Sequence, residues 1–304
     1  MTLAAPARER AWTPPFPLDL AAVLKPLTRG PGDPHARVAG DGAFWRACNT
    51  PAGTGTLSLR RAGGEVRATA WGPGADWLLD GLPDLLGARD DDTGFTSHHD
   101  LIARVRHRTP GLRLGRTGTV WDVLLPAVLE QLVTGKEAWR SWRELCRGFG
   151  EPAPGPEPLH APPTPRALLA IPDWEWHRAG VDGKRRRTLL NAAQVAHRLE
   201  AAADLGGEPG RALLRKVPGI GVWTAAEVAQ RAWGDPDAVS VGDYHLAKFV
   251  GHALTGRDTT DEEMLVLLAP YAPQRQRAVR YLERSGAHRP RRGPRFAGRD
   301  YRAI

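Results

Sequence analysis

Polar and apolar residues alternate through Thr56-Leu57-Ser58-Leu59-Arg60, the period-two pattern of a strand with one buried face. Similar short runs at 44–49 and 65–72 flank it, and Gly63-Gly64 falls between two of them, where a two-residue hairpin turn is needed. Short helical patterns follow Asp19 (20–28) and begin near Asp76 (76–87). This part of the chain therefore predicts an antiparallel sheet carrying one or two helices on a face.

Beyond about residue 110 the period changes. Trp121, Leu124, Leu125, Val128, Leu129 and Leu132 fall at i, i+3, i+4, i+7, i+8 and i+11, one apolar stripe of a helix. Pro126 must kink that helix or sit in its first turn. A second helix is predicted at 137–150, then a proline-rich extended connector at 151–165. Helices resume at 165–170, 174–179 and 184–205, and no internal repeat is found. The expected fold class is α+β, divided into a sheet domain over 1–107, helical domains over 108–288, and a flexible basic tail over 289–304 with six arginines.

Composition narrows the possibilities. The 304 residues (33.1 kDa) suit two or three packed domains, and 41% apolar with 25% charged residues excludes general disorder. The net charge is +8, carried by arginine with only five lysines. It suggests an anionic partner, although coding bias toward arginine gives the same excess. Two cysteines, Cys48 and Cys146, exclude a disulfide framework, a four-cysteine zinc site and an iron–sulfur cluster. No run of about 18 apolar residues predicts a membrane span, and the N-terminus lacks a signal-peptide pattern. A soluble cytoplasmic protein is expected.

The informative stretch is 213–248. Val217-Pro218-Gly219-Ile220-Gly221 breaks a helix, and Trp223-Thr224-Ala225 opens the next. Two helices joined by a glycine hairpin present backbone amides to an anion, a phosphate above all. Alternatively, the hairpin is only a corner between helices. Asp243 follows Trp223 by 20 positions, after a turn at 234–237 and an extended apolar segment at 239–241. It stands at or near the start of another helix, either as a cap alone or as a functional carboxylate.

This arrangement resembles the helix-hairpin-helix DNA glycosylases, and within them the 3-methyladenine DNA glycosylase II type. The matching residues are 217–225, Gly242-Asp243-Tyr244 and Lys248, with weaker matches at 110–114, 128–134 and 12–16. The resemblance implies a base flipped out of double-stranded DNA into a pocket. Asp243 would stabilise the sugar cation that forms as the N-glycosidic bond breaks. Trp223 stands where bifunctional relatives carry a nucleophilic lysine, so hydrolysis without strand cleavage is implied. Trp223 and Tyr244 would line the base pocket. Leu132 would be the wedge that fills the vacated stack, unless it packs in the core with the rest of its stripe. Val217, Gly219, Gly221 and Thr224 would contact DNA. The carbonyls of Val217 and Gly219 would hold a monovalent Na+ or K+, with no other cofactor required. Arg185, Arg186 and Arg187 are either phosphate contacts or a solvated face. Two positions depart from the family: Glu227 and Glu283 stand where pocket aromatics are expected. Either faces solvent, or attracts a positively charged base. The expected activity is thus excision of cationic alkylpurines by a monomeric glycosylase acting at the nucleoid. A glycosylase for other damaged bases and a non-catalytic DNA-binding protein of the same fold are the alternatives.

Overall fold

The structure, a computed structural model, describes residues 6–288; the expected basic tail lies outside them. Five strands form one antiparallel sheet: β1 (Arg8–Trp12), β2 (Ala36–Val38), β3 (Phe44–Thr50), β4 (Gly53–Ala62) and β5 (Glu65–Trp71), in the order β1-β5-β4-β3-β2. Gly63 and Gly64 make the β4–β5 turn, with Gly63 at a φ of 61°. The two edge strands carry little alternation. β1 is mostly exposed and β2 is three residues long, so neither leaves a clear trace in the sequence. Leu57, Leu59, Val66 and Ala68 of the inner strands pack with Leu78, Leu79 and Leu82 from the helices that follow.

The helix Trp121–Leu129 is central to the α+β fold. All nine of its residues are buried, not a single stripe. Pro126 lies inside it, which removes one bond from its ladder. Its first amides, on Val120 and Trp121, donate to the Glu200 carboxylate at 2.7 and 2.8 Å. The Leu129 carbonyl accepts from Arg185 Nη1 at 2.8 Å, which closes its other end. A third contact ties this helix to the sheet: the Asp122 carboxylate accepts from the backbone N–H and Nδ2 of Asn49, both at 2.8 Å. Burial pushes the Asp122 pKa up to about 6, against the pull of Arg46.

Two sequence expectations need correction. The division at residue 107 follows texture and not packing. The helix Asp100–Arg108 shares a hydrophobic core with residues 239–282, among them Val250, Tyr271, Tyr281 and Leu282. Periodicity identifies a helix but carries no record of which distant helix buries its face. The expected helix over 184–205 is three: Gly183–Gln194, Ala196–Leu199 and Ala201–Leu205. Val195 leaves the helical region at φ −120° and ψ 12° and makes the first break.

Candidate active site

The hairpin joins the helices Gly207–Arg215 and Val222–Ala232. Val217 and Ile220 are buried and anchor the turn from within, so the Val217 side chain is not a surface contact. Gly219 has a φ of 95°, and a β-carbon there would lie 2.0 Å from Thr188 Oγ1. Both the backbone and the space require glycine. Gly221 differs: it caps the second helix at φ −94°, with nothing within 4 Å of an added β-carbon. No side chain caps this helix, and the amides of its first turn are the natural donors to an anion.

Leu132 has left the central helix. It is 91% exposed and is the one non-glycine residue with positive φ (54°) among the described residues. The preceding residue fixes the loop: Gln131 Nε2 donates to the Gly219 carbonyl at 3.0 Å and to Thr224 Oγ1 at 2.8 Å. Thr224 is itself buried, so its hydroxyl holds Gln131 and does not meet solvent. Arg185 is buried as well; it bonds the carbonyls of Leu129 and Gly180. Arg186 pairs with Asp173, and Arg187 is exposed. Of the three arginines, only Arg187 matches the expected solvated face.

The carbonyls proposed for a cation are already engaged. Val217 accepts from the Ile220 amide at 3.0 Å, and Gly219 accepts from Gln131. Each oxygen thereby uses one of its two lone pairs.

Asp243 sits where the hairpin helix meets the start of the helix Leu246–Thr255. Its Oδ1 accepts from the amides of His245 and Leu246 at 2.8 and 2.9 Å, as a cap does. Its Oδ2 accepts from the Trp223 indole Nε1 at 3.3 Å. The carboxylate is therefore oriented from both sides. It opens on a cleft of about 220 Å³ whose lining includes Glu227, Gln230, Phe249, Gln276 and Glu283. Four of these (Glu227, Gln230, Gln276 and Glu283) also line an adjoining chamber of about 190 Å³.

Both glutamates at the departing positions thus face the cleft, and both are paired. Burial would raise the Glu227 pKa, but Arg231 at 2.8 Å and the Ser240 hydroxyl hold it below the ordinary glutamate value. Glu283 pairs with Arg280 at 2.6 Å. Trp223 bonds Asp243 but, although expected in the base pocket, is not among the residues that line the cleft. Tyr244 turns outward: it is 64% exposed, and Lys248 Nζ lies 4.8 Å from its ring centroid. The expected pocket ring at Tyr244 is not in the cleft lining; Phe249 is. Sequence reading passed over Phe249, Gln131, Gln230 and Gln276. Gln131 alone had a signal, as the neighbour of the suspected wedge.

A five-stranded sheet joined to helices, with a glycine hairpin near an oriented aspartate, supports the resemblance to the helix-hairpin-helix DNA glycosylases, as do the similar proteins. The similar proteins include both a 3-methyladenine glycosylase and an 8-oxoguanine glycosylase/lyase, the latter from Clostridium acetobutylicum with a TM-score of 0.71 at 13% identity over 92% of this chain and 98% of that one. The chain is 30% identical over 263 residues to the probable bifunctional transcriptional activator/DNA repair enzyme AlkA of Mycobacterium tuberculosis, covering 80% of this chain and 50% of that protein. It is 28% identical over 145 residues to DNA-3-methyladenine glycosylase 2 of Escherichia coli, covering 47% and 51%. The chain spans about half the length of these curated relatives. Among solved structures, the 3-methyladenine DNA-glycosylase from Archaeoglobus fulgidus superposes with a TM-score of 0.77 at 16% identity, over 90% of this chain and 96% of that one. No family model matches the sequence. No helix of the described residues is long and apolar enough to cross a membrane.

Proposed function

We propose that the chain is a monofunctional DNA N-glycosylase that removes cationic alkylated purines from duplex DNA. The observation that carries this reading is Asp243, clamped by two amides and an indole at a cleft lined by two further carboxylates, Glu227 and Glu283.

A flipped nucleotide brings C1′ to Asp243. The C1′–N bond breaks, and its electron pair leaves with the base. An alkylated purine that entered as a cation departs neutral, so no proton need be delivered to it. The Asp243 carboxylate offsets the positive charge that grows on the sugar; water then adds at C1′ and gives its proton to that carboxylate, which releases it to solvent. Fixed donors keep the carboxylate oriented, so little reorganisation accompanies the reaction. Trp223 offers no amine for a Schiff base, and Lys248 is drawn to the Tyr244 ring. Leu132, exposed beside the hairpin, would enter the gap left by the base. The open backbone at Gly221 would meet the phosphate chain. The names of the sequence relatives support the same reading.

The test is excision from a panel of duplexes, each with one lesion. 7-Methylguanine should be released with the strand intact until alkali is added, and borohydride should trap no adduct. Release confined to neutral lesions, or a trapped covalent complex, would contradict the proposal.

A further inference from the structure

On the glycosylase reading, we infer that Arg29, from the sheet end of the chain, is a positioning residue for excision: acting through Glu130, it fixes where Leu132 stands beside the hairpin. Arg29 lies in the segment between β1 and β2, and that segment touches the chain on both sides of Leu132. Before Leu132, Arg29 Nε lies 3.4 Å from Glu130 Oε1. After it comes the helix Gly135–Phe149. The Trp139 ring of that helix packs so closely on Gly30 that a β-carbon there would come within 2.4 Å. Trp142, one turn further on, donates from Nε1 to Asp33 Oδ1 at 2.9 Å.

The Arg29 side chain is itself fixed. It is 6% exposed, and its Nη1 donates to the carbonyls of Pro26 and Thr28 at 2.8 and 3.2 Å. Its backbone amide donates to Asp33 Oδ2 at 2.6 Å. Nε has no hydrogen-bond partner, so the charge on that side is met by the ion pair with Glu130. Burial pulls the Arg29 pKa down, and Glu130 is the foremost group opposing it.

Glu130 caps the C-terminal end of the central helix, where the helix carbonyls disfavour a carboxylate. Two guanidinium groups offset that placement. Arg231 Nε donates to the same Pro26 carbonyl as Arg29, at 3.1 Å, and the Glu130 charge acts on both arginines. Glu130 is thus held by the sheet segment, and Gln131 by Gly219 and Thr224 of the hairpin. Both residues before Leu132 are fixed from different sides, while the Leu132 side chain stands exposed. A side chain that must enter the gap left by a base loses less freedom on binding when its loop is fixed beforehand.

The experiment is a double-mutant cycle, read by single-turnover release of 7-methylguanine from one duplex at saturating enzyme. Glu130→Gln keeps the shape of the side chain and removes its charge. Alone, it should slow release about tenfold, as expected when a group away from the chemistry is misplaced. In a Leu132→Gly background the same substitution should change the rate by less than about twofold, because no side chain is left to position. The pair Arg29→Met with Glu130→Gln leaves no unpaired buried charge and should show the same dependence on Leu132. Equal slowing in both backgrounds overturns the inference, since a general loosening of the fold or a changed charge beside Arg231 would act whether or not Leu132 is present. An unchanged rate in the single variant overturns it as well. A wild type that does not release 7-methylguanine instead removes the glycosylase reading, and the inference with it.

Discussion

Gln131 donates to the carbonyl of Gly219 at 3.0 Å and thereby fastens the loop carrying Leu132 to the hairpin. The two segments are 88 residues apart in the chain, yet one amide sets their spacing. In the proposed complex this would fix the distance between the side chain that enters the stack and the backbone that grips the phosphates.

The first prediction concerns Leu132. Its backbone is in the left-handed region, which costs a β-carbon-bearing residue about 1 kcal/mol, and its side chain buries nothing. Leu132→Gly should leave the melting temperature unchanged or slightly higher, while single-turnover excision falls about tenfold or more. A large loss of stability would return Leu132 to the core.

Two hairpin glycines should respond differently to the same substitution. At Gly219 alanine meets Thr188 and an unfavourable φ, so Gly219→Ala should destabilise the fold by more than about 2 kcal/mol. Gly221→Ala meets open space and should keep its stability, yet bind damaged and undamaged duplexes several-fold more weakly. Thermal melting and DNA titrations check both. Only Gly221→Ala therefore reports on DNA contact without a change in the stability of the fold.

Asp122 should make stability depend on pH. Its folded pKa of about 6 stands above the ordinary 3.8. Between these values the folded state holds a proton that the unfolded state has lost. Stability therefore falls as pH rises from about 4 to 6 and is flat in this contribution above that, at a cost of about 3 kcal/mol. Melting curves of Asp122→Asn across this range should show a shallower decline than the wild type. Parallel curves would mean that Asp122 ionises normally.

Glu227 attracts a cationic base less simply than its position in the sequence suggests, since Arg231 and Ser240 already share its charge. Glu227→Gln would leave Arg231 unbalanced beside the cleft. Excision of 7-methylguanine should then fall about tenfold more than excision of hypoxanthine, by repulsion of the positive ring. Equal effects on the two bases would show that Glu227 acts only in packing.

Local signals carried much of the fold. The Gly63-Gly64 turn, the alternation of β4, the hairpin and the capping position of Asp243 are written in short windows of sequence, because each depends on near neighbours. The stripe through Leu132 misled: five of its six residues pack in the core, but Gln131 turns the chain before the sixth. Glu227 and Glu283 were legible as departures from the family. Their partners Arg231 and Arg280 lie within one helical turn, but the cleft they share with Asp243 is made by helices far apart in the chain. Phe249, Gln230 and Gln276 were illegible for the same reason, since nothing in their own segments distinguishes a cleft-facing residue from any other on a helix.

The central claim is that Asp243, held by Trp223 and the amides of His245 and Leu246, stabilises the sugar cation. The direct measurement is single-turnover release of 7-methylguanine by Asp243→Asn at saturating enzyme, with DNA affinity measured alongside. The rate should fall about a hundredfold or more at unchanged affinity, as expected for loss of one well-placed charge. A variant that releases the base at close to the wild-type rate would contradict the account.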